Sequence, residues 1–263
     1  MTDNAEPKAH FIISKIDHFY RKTPALKGIN LKINEGEKVA IVGPSGSGKT
    51  TLLSMLNASL QPTQGQIIIH GKNSNQYTSK ELKALRSKIA LIPQNLALVS
   101  NFKVWQNVIT GNIGKYGFFK LLKNLLAPAK KTLIDIHSIL DRVGIEEKLF
   151  ATTSNLSGGQ RQRVAVARSI FQSPSAILAD EPVSSVDPAR ARSLVELLLK
   201  VADEEKTTLI MSLHNLELAM EKFPRVVGMR NGSVQFDRSP DQISKEELQE
   251  LYQLEEKEIL EDG

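Results

Sequence analysis

Residues 38–51 read Lys38-Val39-Ala40-Ile41-Val42-Gly43-Pro44-Ser45-Gly46-Ser47-Gly48-Lys49-Thr50-Thr51. The apolar run at Lys38 to Val42 predicts a buried strand. The eight residues after it match the pattern G-x-x-x-x-G-K-[ST], and Leu52, Leu53, Met55 and Leu56 then predict a helix. Glycines at 43, 46 and 48 let the backbone curl until successive N–H groups converge, and a helix N-terminus adds partial positive charge. A strand, such a loop and a helix in that order form a binder of phosphate. Lys49 is then expected to reach the terminal phosphates and Thr50 to offer its hydroxyl to Mg2+.

Outward from this segment, apolar runs predict further strands at Ile89 to Ile92, Ala176 to Ala179, Thr208 to Ser212 and Arg225 to Met229. Helical patterns lie between several of them, which predicts an α/β domain around a largely parallel sheet. Asn231-Gly232, between Val226-Val227-Gly228-Met229 and Val234-Gln235-Phe236, predicts a tight hairpin whose turn needs positive φ. From about Asn101 to Asn155 strand character fades. Leu133, Ile136, Ile139 and Leu140 recur at helical spacing there, so a helical subdomain inserted in the core is expected. Within it, Gly114 to Lys131 mixes Tyr116, Phe118 and Phe119 with five lysines; a membrane-proximal or partner-binding surface is one reading, and an ordinary amphipathic helix with a solvated basic face is the favoured one.

A chain of 263 residues with 41% hydrophobic and 24% charged residues suits a globular protein with a substantial core. No run approaches the roughly 18 apolar residues of a spanning helix, so the chain is not expected to cross a bilayer itself. The first ten residues do not resemble a secretory signal, and the absence of cysteine excludes disulfides and agrees with a reducing compartment. The net charge of +5 is uneven, because residues 241–263 are strongly acidic and leave the body more basic than the total. That tail is expected to form an amphipathic helix using Leu248, Leu251 and Leu254.

Two further segments carry chemistry. Ala176-Ile177-Leu178-Ala179-Asp180-Glu181-Pro182 is an apolar strand ending in two carboxylates, at the strand edge where α/β sheets bind ligands. Asp180 is expected to hold Mg2+ through a coordinated water and Glu181 to polarise an attacking water. Leu156-Ser157-Gly158-Gly159-Gln160 is a second glycine-rich turn, followed by a basic helix from Arg161.

Leu156 to Gln160 resembles the signature sequence of the ATP-binding-cassette family, in the family order relative to the loop and the carboxylates. The resemblance covers about Ile13 to Phe236. It implies a P-loop NTPase (RecA-like) core with an antiparallel β subdomain and an inserted α-helical subdomain. The cassette is then expected over 11–240, with the helical insert at about 97–165 and the acidic tail over 241–263. It further implies that Tyr20 stacks on adenine and that Gln94 touches Mg2+ and the water. His214 is implied to contact the γ phosphate, and Ser185-Val186-Asp187 resembles the D-loop, although the family more often shows Ala-Leu-Asp. ATP is implied to lie against Tyr20 and residues 43–51 of one copy and Ser157, Gly158, Gly159 and Gln160 of a second, with Mg2+ at Thr50, Gln94 and Asp180. Glu181, His214, Gln94 and Lys49 are the implied catalytic set.

The single-cassette layout resembles bacterial importer subunits. The implied partners are a second copy, transmembrane permease subunits and a solute-binding protein, at the cytoplasmic face of the membrane. The region between Gln94 and Leu156 resembles the ATPases of phosphonate, phosphite or phosphate-analogue uptake, although Pro93 and Asn95-Leu96-Ala97 depart from that group. A different importer cargo or a lipoprotein- or lipid-releasing cassette are the alternatives. A nucleic-acid-associated cassette is disfavoured, because such proteins carry two cassettes or a long coiled coil.

Overall fold

A computed structural model describes residues 8–116, 118–183 and 187–252. Ser185 and Val186 of the expected D-loop, and residues 253–263 of the acidic tail including Leu254, lie outside the described residues. The chain divides into two compact units: Thr78–Leu209, and the residues on either side, up to Tyr77 and from Ile210 onward.

The first unit combines both chain ends. It contains β1 (Ala9–Tyr20), β2 (Thr23–Asn34), β3 (Lys38–Val42), α1 (Lys49–Leu56), β4 (Gln64–Ile69) and the short β5 (Lys72–Asn73). Strands β2-β1-β4-β5 form an antiparallel sheet. Its inward residues Phe11, Ile13, Ile16, Ile29, Leu31, Ile33, Ile67 and Ile69 are buried.

In the second unit, α2 (Ser79–Arg86) leads to β6 (Ile89–Ile92). Then come α3 (Val104–Ile109), α4 (Phe118–Leu126), α5 (Lys130–Arg142) and α6 (Gly158–Phe171). Strand β7 (Ala176–Asp180) runs parallel to β6, with Ile89 opposite Ala176 and Ile92 opposite Ala179, and α7 (Pro188–Glu204) follows. Ile136 and Leu140 are the fully buried positions of α5, one helical turn apart, as the periodicity predicts.

Strand β8 (Thr208–Leu213) carries the chain back into the first unit, where α8 (Leu216–Lys222), β9 (Arg225–Arg230), β10 (Ser233–Arg238) and α9 (Lys245–Tyr252) complete it. There β3 pairs parallel with β9, and β10 pairs antiparallel with β9. Asn231 and Gly232 both have positive φ, as the hairpin requires. Arg225 locks the hairpin to the start of β3: its guanidinium donates to both carboxylate oxygens of Asp237 at 2.7 Å and to Glu37 at 2.6 Å. Helix α1 buries nearly all of its length, including Leu52, Leu53, Met55 and Leu56, so the phosphate-loop helix is a core element. Each of those side chains is worth about 1.5–3 kcal/mol of burial.

One buried titratable group makes the antiparallel sheet sensitive to acid. His10 on β1 is buried, stacked on Phe11 and beside His70, each with ring centroids 4.4 Å apart. Burial first, and the neighbouring His70 second, lower its pKa from 6.5 to about 4. Above pH 6.5 the folded and unfolded chains both hold a neutral imidazole. Between pH 6.5 and 4 only the unfolded chain takes the proton, so stability falls across that window. Urea midpoints are expected to drop from pH 6.5 to 4, and His10→Phe to flatten that drop; an unchanged slope in the variant would assign the acid sensitivity to other groups.

Candidate nucleotide site

In the first unit the loop at 43–48 starts where β3 runs out beside β9. Val42 lies opposite Gly228, so Gly43 comes next to Met229. A Cβ at Gly43 would stand 2.0 Å from the Met229 carbonyl oxygen, and one at Gly48 2.7 Å from that of Ala25. The backbone is packed so closely that no side chain fits at either position. The hairpin turn braces the loop from outside, because Gly232 N–H donates to Ser47 O at 3.2 Å and Lys27 N–H donates to Gly232 O at 2.8 Å.

Lys49 is buried at the first position of α1. Its ammonium donates to the carbonyls of Gly43 at 2.8 Å and Pro44 at 3.0 Å, so the cation is held at the loop by the loop itself. Ser47 Oγ is buried without a hydrogen-bond partner among the described residues. An unsatisfied buried hydroxyl costs about 1–3 kcal/mol, which a bound oxyanion would recover. The closely packed glycines, the lysine and this hydroxyl fit a phosphate. Pro44 is half-buried, Ser45 and Gly46 are exposed, Thr50 is exposed one residue into the helix, and Thr51 is buried.

The other predicted residues of this unit stand near its surface. Tyr20, at the end of β1, is half exposed and meets the His18 ring edge-on, with centroids 4.8 Å apart. His18 is buried and lies 3.3 Å from Thr63 Oγ1 through Nδ1. Its edge-on contact is where the Tyr20 ring meets the body of the sheet, and nothing in the sequence marks it. His214 is exposed between β8 and α8, whose first turn is capped by Asn215 accepting from Leu218 N–H at 2.8 Å.

The second unit brings Gln94, Asp180, Glu181 and the signature turn into one framework. Asp180 ends β7 and is buried; Glu181 follows with φ of 47°, a left-handed conformation uncommon for a residue with a side chain. Gln94 Nε2 donates to Glu181 Oε2 at 3.2 Å, which joins two residues predicted to act together. Ser157 caps α6 by accepting from Gln160 N–H, and Gln160 Oε1 accepts from Ser157 N–H at 3.0 Å. The Gln160 side chain is therefore engaged in the cap. Gly158 and Gly159 occupy the first helical positions, where N–H groups lack intrahelical partners. Asp187 caps α7, accepting from Arg190 N–H at 3.0 Å.

Two residues of α6 that the sequence reading passed over organise this framework. Gln162 is buried and donates to Pro182 O at 2.7 Å, directly after Glu181. Arg168 donates to Leu96 O and Ala97 O, both at 2.7 Å, and so grips the loop after Gln94 where Leu96 and Ala97 have positive φ. Burial lowers the Arg168 pKa from its usual value, yet the guanidinium stays charged at neutral pH. Helix α6 thus fixes the signature turn, the Glu181 turn and the Gln94 loop together.

Residues 26–184 match the ABC transporter family. The chain belongs to that family. It is 45% identical over 230 residues to the "Phosphonates import ATP-binding protein PhnC 3" of Halalkalibacterium halodurans, covering 88% of each chain. A similarly named protein of Pseudomonas syringae pv. tomato is 43% identical over 233 residues, covering 88% of this chain and 86% of that one. Among solved structures, cbiO1 of Clostridium perfringens, part of the transporter complex cbiONQ, superposes with a TM-score of 0.78 at 27% identity, covering 97% of this chain and 99% of that one. The dimeric bacterial ABC transporter cassette MJ0796 superposes at 0.77 and 29% identity, covering 88% and 98%. The expected P-loop NTPase fold and ATPase class are thereby established. No helix among the described residues is long and apolar enough to cross a membrane.

The packing at Gly43 yields a steric test. Gly43→Ala is expected to weaken ATP-analogue binding by more than about tenfold, because the methyl group has no room beside Met229 O. Gly46→Ala meets no atom within 4 Å and is expected to cost only the about 1–2 kcal/mol of an L-residue in the left-handed region. Fluorescent-nucleotide titration with thermal unfolding checks both; equal behaviour of the two variants would contradict the assignment.

Proposed function

We propose that this chain is the ATP-hydrolysing subunit of an importer for phosphonate, phosphite or a related phosphate analogue. The reading gives it permease subunits and a solute-binding protein as partners, at the cytoplasmic face of the membrane. The relatives at 43–45% identity, whose names specify phosphonate import, support the cargo. The observation that carries the chemistry is the Gln94 to Glu181 hydrogen bond beside buried Asp180.

In this reading the loop N–H groups and Lys49 hold the β and γ phosphates, and Tyr20 stacks on adenine. Thr50, Asp180 and Gln94 offer hydroxyl, carboxylate and amide oxygens, a hard-oxygen set that suits Mg2+. When bound, that ion neutralises charge developing on the transferred phosphoryl group. Glu181 accepts the proton of the attacking water, Gln94 orients the Glu181 carboxylate, and His214 contacts the γ phosphate. Ser157 and the Gly158 and Gly159 N–H groups of a second copy close over the same triphosphate from the far side. Closing and reopening of that pair is the motion passed to the permease.

Glu181→Gln retains the hydrogen-bonding shape but not the base. It is expected to bind Mg-ATP with near-normal affinity, to lose at least about a hundredfold in turnover, and to accumulate as an ATP-bound dimer. Equilibrium nucleotide titration, phosphate release and size-exclusion chromatography measure the three; undiminished turnover would remove Glu181 from the role of base.

A further inference from the structure

Helix α4 is apolar over more of its circumference than it buries. At about 100° per residue, Leu121 and Leu125 share one side and are half-buried, and Gln106 Nε2 ties the helix end to α3 by donating to Leu125 O at 3.0 Å. The adjoining side presents Phe119, Leu122 and Leu126 to solvent, with 84%, 44% and 75% of their surface exposed. Lys120 and Lys123 border this strip, and Lys120 lies 5.0 Å over the Tyr116 ring. Lys115, Lys130 and Lys131, all exposed, flank the helix. No aspartate or glutamate occurs anywhere between Glu81 and Asp135.

We propose that α4 docks this subunit directly on an anionic lipid surface, with Phe119, Leu122 and Leu126 in the headgroup boundary and the lysines against lipid phosphates. The charge pattern selects this occupant, since an acid-free, lysine-flanked strip complements anionic headgroups. An interfacial helix needs only an apolar strip bordered by basic residues whose stems lie along it. The contact goes beyond the transporter reading, because it requires neither permease nor nucleotide.

Co-sedimentation of the isolated chain with vesicles tests it. Binding is expected to phosphatidylcholine vesicles containing phosphatidylglycerol, and at least about tenfold weaker to pure phosphatidylcholine or in high salt. Phe119→Ser with Leu126→Ser, and separately Lys120→Ala with Lys123→Ala, are each expected to weaken binding at least about tenfold. Both are surface changes, and an unchanged thermal midpoint verifies the fold. Absence of vesicle binding, indifference to lipid charge, or wild-type binding by the variants would overturn the proposal. So would self-association of the wild-type chain, abolished in the variants without any vesicle binding, which would assign the strip to a second copy.

Discussion

The closeness of two backbones at the end of β3 is the constraint on which the nucleotide loop depends. Gly43 passes Met229 with no room for a β carbon, and Gly48 passes Ala25 almost as tightly. Since neither position has a side chain, the loop presents its own amides, and Lys49 returns its charge to the carbonyls that begin the turn. The hairpin at Asn231-Gly232 then acquires a second purpose. It does more than reverse the chain between β9 and β10, because its Gly232 amide supports Ser47 and its carbonyl holds Lys27. Strand pairing, hairpin and phosphate loop form one hydrogen-bonded assembly, mounted on a helix whose sides are almost wholly buried.

A corresponding economy governs the second unit. Its candidate catalytic groups Gln94 and Glu181 stand on loops, which are easily displaced, yet each loop is gripped by α6. The first turn of that helix is the signature turn, Gln162 holds the turn after Glu181, and Arg168 holds the loop after Gln94. Positive φ at Leu96, Ala97 and Glu181 costs conformational energy, and these side-chain bonds to backbone carbonyls offset it. A rotation of α6 must therefore move all three loops, and in the proposed dimer that would be a direct physical route from a second copy at the signature turn to Gln94 and Glu181.

Much of this was legible in the sequence, for identifiable reasons. Strands buried on both faces are continuous apolar runs, so Ile89–Ile92 and the core of Arg225–Arg230 were read with nearly their observed bounds. Asn231-Gly232 specified its turn because these two residue types accept positive φ at the least cost. Strands β1, β2 and β4 were expected only through the family resemblance. They are buried on one face, and β1 is interrupted by register shifts, with Lys15 at φ 48°, which breaks the alternation a pattern search needs. His18, Gln162 and Arg168 were illegible for another reason. Their importance lies in bonds to partners distant in sequence, which no local motif encodes.

A triphosphate shared between copies is the central expectation, and the cysteine-free chain permits a direct measurement. Ser45 and Ser157 are both exposed, so Ser45→Cys in one copy and Ser157→Cys in another are accessible single thiols. Mixed in the Glu181→Gln background and exposed to a mild oxidant such as copper–phenanthroline, they are predicted to form a disulfide-linked dimer with Mg-ATP, and neither alone nor without nucleotide. Failure of the mixture to cross-link with saturating Mg-ATP, or cross-linking at the same rate without it, would contradict the shared site.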